Sequence, residues 1–529
     1  MTSLKFGCDV LLGQSYYLRF DQKLWQAMQP FPPLGTLYAA SILRENGYQV
    51  ALFDAMLAEG EYEWERALEI HQPEFAVLFE DNFNYLSKMC LLRMRQAALT
   101  MIDMALKKGC VVIIGGADAS DHSQLYLENG AHYVLSGEGD QTLVELINQL
   151  RGINSKELDQ IEGLAWLDPV HDSPGVAMRQ TERRPDISVL DELPFPAWDL
   201  VDIERYREIW LKEHGYFAIN MVTTRGCPFH CNWCAKPIWG QRYHVRSPEN
   251  VLAEILWIKD VINPDYIWFV DDIFGLKPGW ITRFSNAISS AGVKIPFKCL
   301  SRVDLLLREG EIQSLDEAGA DIIWVGAESG SQKILDAMEK GTQVEQIYEA
   351  TRLLHQAGLR VGFFLQFGYP GETRADIKKT FQMVRDCQPD DIGMSVSYPL
   401  PGTGFYRAVK DQLGSRKNWF DSDDLAMLYQ GPFSTEFYRQ LHVALHREFR
   451  MRKTWKMIWG AYRREVWKAP GSRSQNRIKL VGTWFYYKIR LLLDRWKLNR
   501  LSRAPHQGVL PVKNQMSPKD AARPTPQVE

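Results

Sequence analysis

Short apolar runs alternate with helix-length segments in two separate series along this chain, and that doubled rhythm constrains its fold more than any other feature. In the first series the apolar runs fall at residues 5–12, 49–53, 75–79, 111–114 and 133–135, separated by segments that include 34–45, 89–108 and 141–150. This spacing predicts a doubly wound parallel sheet of Rossmann-like type over residues 1–150. Ligands of such sheets bind beyond the carboxyl ends of the strands. Those ends here carry Gly115-Gly116 and Ser136-Gly137-Glu138-Gly139, where glycine lets a bulky ligand approach the backbone or simply turns the chain.

The rhythm lapses over 151–204, which reads as an interdomain connector. Residues 163–166 and 176–180 fit a hairpin across 168–175, and the prolines of Leu193-Pro-Phe-Pro-Ala-Trp198 hold that stretch extended. The second series follows over 205–404, with strands at 218–224, 266–270, 296–301, 322–325, 360–367 and 392–398 and helices such as 248–261, 342–357 and 373–387. Six such units predict a partial, TIM-like β/α barrel with its chemistry at the carboxyl ends of the strands. The fold class is therefore α/β, completed by a helical, basic region over 405–501 and a polar tail over 502–529 expected to be disordered.

The proportions are those of an ordinary globular protein, 45% hydrophobic and 24% charged over 529 residues, which excludes a fibre or a wholly disordered chain. The amino terminus lacks the pattern of a signal peptide, and no apolar run reaches the ~18 residues of a membrane span. A reducing cytoplasm is the expected setting. The net charge of −3 hides an asymmetry: between Arg439 and Arg503 there are eighteen basic residues against Glu448, Glu465 and Asp494. That segment is +15, leaving −18 for the rest, so the tail suits a polyanion or a membrane surface while the acidic body does not suit nucleic acid. Trp455, Trp459, Trp467, Trp484 and Trp496 lie among these charges. Either they sit at an anionic membrane, peripherally at its inner face, or the helices simply cover the barrel with solvated arginines.

Eight cysteines in 529 residues are too few for a disulfide scaffold, yet three fall within eight residues, in Cys227-Pro-Phe-His-Cys231-Asn-Trp-Cys234. This cluster directly follows the first strand of the second series and Thr224-Arg225-Gly226. Structural zinc takes four ligands, and His230 adjoins one cysteine too closely to complete a tetrahedron. Three thiolates can hold three irons of a four-iron four-sulfur (4Fe-4S) cluster and leave the fourth open. Zinc or a non-ligand role is the alternative. Cys8, Cys90, Cys110, Cys299 and Cys387 have no partners at ligand spacing and read as core.

Cys-x3-Cys-x2-Cys after a first barrel strand, with Trp233 before the last cysteine, resembles the radical S-adenosylmethionine (SAM) superfamily. The resemblance implies a 4Fe-4S cluster on Cys227, Cys231 and Cys234 whose open iron chelates the amino and carboxylate groups of SAM. One electron, from a donor such as flavodoxin or ferredoxin, then cleaves SAM to a 5'-deoxyadenosyl radical. It extends to Asp271-Asp272-Ile273-Phe274, Ser301-Arg302, the segment Gly326 to Ser331 and the segment Gln366 to Glu372. It implies SAM contacts from Trp233, Asp272, Arg302, Glu328, Ser329, Gln366 and Gly368. Asp271-Asp272 stands where Gly-Gly-Glu is common, which leaves the amino-group ligand open. Each residue also has a structural reading: Asp272 as a helix cap, Glu328 paired with Arg302, and 368–371 as a plain turn.

With Pro32-Pro33-Leu34-Gly35 and the strand-end glycines, residues 1–404 resemble the cobalamin-binding radical SAM family. Pro33, Leu34, Gly35, Gly115, Gly116, Gly137, Glu138 and Gly139 would then contact cobalamin. The Asp-x-His-x-x-Gly motif is absent and the first histidine is His71, so cobalt would carry no protein imidazole unless the domain has lost its cofactor. The implied activity is methylation of an unactivated carbon or phosphorus centre in a small-molecule or lipid-like substrate, through the adenosyl radical and methylcobalamin, with no side chain required as a conventional acid or base. Cyclisation or rearrangement is the alternative within the family. An RNA-modifying enzyme gripping its substrate with the basic region is the alternative from another class, disfavoured because no RNA-binding signature accompanies the charge.

Overall fold

A computed structural model describes residues 7–84, 91–169, 176–236, 238–413, 425–459 and 477–503. Cys90, Trp467 and the tail beyond residue 503 lie outside these. Strands β1 (Cys8–Gly13), β2 (Val50–Phe53), β3 (Pro73–Phe79), β4 (Val111–Gly115) and β5 (Tyr133–Leu135) pair in parallel in the order β2-β1-β3-β4-β5. They are apolar runs because both faces are covered: Val10, Leu12, Val77 and Ile113 pack on one side, and Leu11, Ala76, Leu78 and Val112 on the other.

The hairpin expected within the connector instead extends this sheet. β6 (Leu164–Pro169) pairs antiparallel with β5, and β7 (Val176–Gln180) with β6. Leu164 and Ala165 are fully buried, so the first sheet has seven strands. The hairpin signal names two paired strands but carries no information about which sheet edge receives them.

β8 (Ala218–Met221) opens the second sheet. The strand expected to run on to Thr224 breaks there, because the Asp271 carboxylate accepts hydrogen bonds from the Thr223 N–H, the Thr223 hydroxyl and the Thr224 N–H, each at 2.7 Å. Burial pushes Asp271 up to about 6. The chain then forms a small antiparallel ladder of β9 (Thr224–Arg225) and β10 (His244–Val245) that flanks the cysteine loop. β11 (Tyr266–Phe269), β12 (Phe297–Ser301), β13 (Ala320–Glu328), β14 (Arg360–Phe367) and β15 (Asp391–Val396) continue the main sheet, all parallel, in the order β8-β11-β12-β13-β14-β15. Alternation decides its two faces. Phe269, Cys299, Ile323, Val325, Val361 and Phe363 are buried under helices, whereas Trp268, Lys298, Leu300, Trp324 and Phe364 point into the open half-barrel and keep some exposure.

Among the contacts between the two domains, one is a buried guanidinium. Arg225, buried on β9 two residues before Cys227, pairs with Glu138 at 2.8 Å and Asp140 at 3.1 Å, both just beyond β5. Trp239 Nε1 and the Ile187 N–H also donate to Glu138, at 2.7 and 2.6 Å. Beyond the barrel, helices Thr435–Ile458 and Arg477–Leu501 pack antiparallel. Gln440 donates to the buried Asp494 at 2.9 Å, Arg447 pairs with the same carboxylate, and Trp455 and Trp484 lie 5.1 Å apart. No helix among the described residues is long and apolar enough to cross a membrane.

Removing one member of a buried pair costs about 3–5 kcal/mol because the partner charge stays behind. Arg225→Met strands two buried carboxylates, so its unfolding free energy should fall by that amount, lowering the denaturant midpoint with an unchanged slope. A midpoint equal to that of the wild type would contradict the role given to Arg225.

Candidate functional site

The cysteine loop leaves β9 through Gly226, whose φ of +81° puts it in the left-handed region. A Cβ at this position would lie 2.4 Å from the Arg242 carbonyl oxygen, so only glycine fits. Asn232 fixes the middle of the loop. Its N–H donates to the Met338 carbonyl at 3.1 Å, its Nδ2 to Ala337 at 2.8 Å, and its Oδ1 accepts from the Tyr369 hydroxyl at 2.9 Å. Cys227, Cys231 and Cys234 are all half-buried, and burial pushes Cys234 up to about 12 against the pull of Lys236. A thiol in that state becomes a thiolate only when a metal centre displaces its proton. His230 is exposed, and among the described residues no three His, Cys, Asp or Glu side chains converge on a single ion. Three sulfur donors without a fourth suit a 4Fe-4S cluster, whose irons occupy separate corners.

Two strand ends adjoin this loop. Arg302, following β12, stacks on Phe229 at 3.6 Å, comes within 4.0 Å of Cys231 Sγ, and donates to Asp304 and to the Lys340 carbonyl, both at 3.0 Å. Glu328 ends β13 with φ +52°, a strained conformation for a side chain of this kind. Its carboxylate pairs with buried Lys340 at 2.8 Å, not with Arg302. A Cβ on Gly326 would meet Lys340 Nζ at 2.5 Å and Glu328 Oε1 at 2.6 Å, so this glycine makes room for the pair. Lys340 escapes the sequence reading because nothing in Glu339-Lys340-Gly341 distinguishes it from a surface lysine.

The other expected SAM residues divide. Trp233 Nε1 and Gln366 Oε1 are buried polar atoms without a hydrogen-bond partner among the described residues. Asp272 is exposed and within electrostatic reach of Cys227 and Cys234. It does not cap the next long helix, Trp280–Ser290, whose cap is Gly279. The Ser329 hydroxyl is engaged by Thr380 and by the Ser331 N–H, both at 3.2 Å. Gly368, at φ +82°, donates to buried Glu372 at 2.8 Å and accepts from the Tyr429 hydroxyl.

On the amino-terminal domain, the ends of β1, β3, β4 and β5 form one polar, glycine-lined face. The Gly35 N–H donates to Asp81 at 2.9 Å at the start of the helix Leu34–Glu45, which Pro33 precedes. Leu34 is fully buried, and the Pro32 carbonyl accepts from Asn220 of β8 at 3.0 Å. Gly115 ends β4, and at Gly116, with φ +139°, a Cβ would strike Glu80 at 2.5 Å. Gly137 and Gly139 take φ +87° and +83°. Glu80 accepts from the Ser15 N–H at 3.1 Å, and burial pushes it up to about 7. Gln14 and Ser15 are buried there, their side chains directed at the Asp54 and Glu80 carboxylates. Glycines that keep side chains off this face, beside buried polar groups, fit a large polar cofactor held through backbone groups. Glu138 contributes differently: both its oxygens are committed to Arg225, Trp239 and Ile187.

The three-thiol loop at the mouth of an open six-strand β/α barrel is the layout of a radical SAM domain, and residues 221–384 match the sequence model of the Radical SAM superfamily. Those residues form a radical SAM domain, and the protein is an enzyme of that type. It is 27% identical over 396 residues to an uncharacterized methyltransferase of Pyrococcus horikoshii, covering 73% of this chain and 81% of that protein. It is also 27% identical over 393 residues to the anaerobic magnesium-protoporphyrin IX monomethyl ester cyclase of Cereibacter sphaeroides (72% and 61% covered). To the hopanoid C-3 methylase of Methylococcus capsulatus it is 25% identical over 421 residues (77% and 75%). The structure of the cobalamin-dependent SAM radical enzyme OxsB superposes with a TM-score of 0.66 at 19% identity, covering 93% of this chain and 72% of that one, which shows a shared fold.

The Glu328–Lys340 pair yields a direct test. Lys340→Met should leave the brown cluster chromophore intact while weakening SAM binding at least ~10-fold, about 1.4 kcal/mol. Wild-type affinity in a binding isotherm of the reconstituted variant would exclude a positioning role for Lys340.

Proposed function

We propose that this enzyme methylates an unactivated carbon or phosphorus centre of a small-molecule or lipid-like substrate. The observation that carries the reading is the Arg225 bridge, because it joins the loop bearing Cys227 to the loop bearing Gly137 and Gly139. When bound, the cluster with SAM supplies one-electron chemistry at the substrate, and cobalamin supplies the methyl group. Cys227, Cys231 and Cys234 would hold the cluster, whose electron would come from a flavodoxin- or ferredoxin-like donor. Trp233, Asp272, Arg302, Glu328, Gln366 and Gly368 face SAM, Lys340 holds Glu328 in position, and Ser329 acts through the Thr380 contact. Pro33, Leu34, Gly35, Gly115, Gly116, Gly137 and Gly139 receive cobalamin through the backbone, with Glu138 fixing their loop against the barrel. No histidine precedes His71, so the first loop would offer cobalamin no imidazole.

The half-barrel lumen supports a substrate with an apolar body. Trp324 and Phe364 pack with ring centroids 4.7 Å apart, and Phe364 is 40% exposed although it sits in the middle of a parallel sheet. A Cβ on Gly362 would lie 2.4 Å from the Trp324 ring, so that glycine lets the indole lie flat. Lys298 Nζ lies 4.1 Å from the Trp268 ring centroid, and burial brings it down to about 8. An acidic group on the substrate would find its counter-charge there. Cyclisation remains the second reading, favoured by the likeness to the cyclase of Cereibacter sphaeroides. The charge of the basic carboxyl-terminal region supports a location at the anionic face of a membrane.

Anaerobic turnover with the correct substrate should release S-adenosylhomocysteine and 5'-deoxyadenosine together, whereas 5'-deoxyadenosine alone would favour cyclisation. Replacing Cys227, Cys231 and Cys234 with alanine should abolish both products and the brown chromophore. A triple variant that still cleaves SAM would overturn the assignment. Electron paramagnetic resonance of the bound cobalt(II) should lack nitrogen coupling from a protein imidazole, and its presence would refute the backbone-only cradle.

A further inference from the structure

Helix Arg477–Leu501 is apolar on two opposite sides. One side, formed by Leu480, Trp484, Tyr487, Leu491, Asp494, Leu498 and Leu501, follows the 4,3 spacing of a helix seam and is at least partly buried, with Trp484 and Asp494 contacting helix Thr435–Ile458. The opposite side carries Ile478, Val481, Phe485, Ile489, Leu492 and Trp496, all exposed, Ile478 at 80% and Trp496 at 59%. At 3.6 residues per turn these six, with Tyr486 and Leu493, fall within an arc of roughly 140° centred away from the seam. Two rows of cations border the arc, Lys479, Arg490 and Lys497 on one flank and Lys488 and Arg495 on the other, all exposed. The two apolar sides cancel in any one-sided measure of amphipathicity, which hides the outward face from a periodicity reading.

We propose that this outward face lies in the interfacial plane of an anionic lipid bilayer, its aliphatic and aromatic side chains among the acyl chains and its flanking lysines and arginines on the headgroups. The charge pattern selects this occupant. A soluble apolar partner would need no cationic border on both flanks, whereas an in-plane helix places its cations at the height of lipid phosphates. The proposal rests on the reading that the basic region meets a membrane and adds the face that enters it. Insertion and simple charge attraction differ in their response to salt, since screening removes attraction between exposed charges but leaves buried apolar surface in place.

The test uses the full-length, cluster-loaded protein and vesicles of phosphatidylcholine with or without phosphatidylglycerol, read by flotation and by hydrogen exchange over 477–503. The protein should float with the anionic vesicles, retain part of its binding at high salt, and gain protection along the helix. Ile489→Ser with Leu492→Ser should lower partitioning at least tenfold and abolish the salt-resistant fraction, with SAM cleavage in solution unchanged. If this variant floats as the wild type does, charge alone holds the protein and insertion is wrong. If the wild type ignores both vesicle types and instead self-associates in a manner the double variant abolishes, the face binds a second copy and the proposal falls. Loss of SAM cleavage in every sample would count against the proposed function and leave the flotation result standing.

Discussion

Arg225 is the constraint on which the arrangement of this molecule depends. A guanidinium buried at a domain boundary is tolerable only with full compensation, and here it has two carboxylates, Glu138 and Asp140, and lies over the rings of Tyr38 and Phe83. All of these partners come from the amino-terminal domain. Because Arg225 stands two residues before Cys227 and Glu138 stands between Gly137 and Gly139, satisfying one charge fixes the cysteine loop and the glycine loop against each other. Displacing either loop would expose buried charges to each other without a counterion, so the interface behaves as one positioning unit, not a hinge.

Much of the fold was legible because parallel strands buried on both faces leave continuous apolar runs. The segments at 133–135, 248–261 and 360–367 coincide with elements of the structure. What failed to show was long-range. The hairpin at 164–180 carries the right strand signals but joins the first sheet, and β8 stops short because Asp271, fifty residues on, captures Thr223 and Thr224.

The site divides along the same line. Cysteine spacing is local and chemically specific, so Cys227, Cys231 and Cys234 needed no tertiary information. Glu328 was visible as a residue, but its partner Lys340 lies twelve positions on, beyond a short helix, and the expected Arg302 pairs with Asp304 instead. The reason for glycine at 326 and 362 shows only when a Cβ is placed on each and meets Lys340 or Trp324. Composition identified the basic region, whereas the division of helix Arg477–Leu501 into a packed seam and an exposed apolar face required knowing where its neighbour lies.

The central claim is that one protein frame holds the iron-sulfur cluster and cobalamin beside each other. Pulsed electron paramagnetic resonance on the anaerobically reconstituted enzyme, with the cluster reduced and cobalt in the cobalt(II) state, measures this directly. The account predicts a resolved dipolar interaction between the two spins that weakens when Arg225→Met uncouples the loops. Two independent, non-interacting spectra from a fully loaded wild-type enzyme would contradict it.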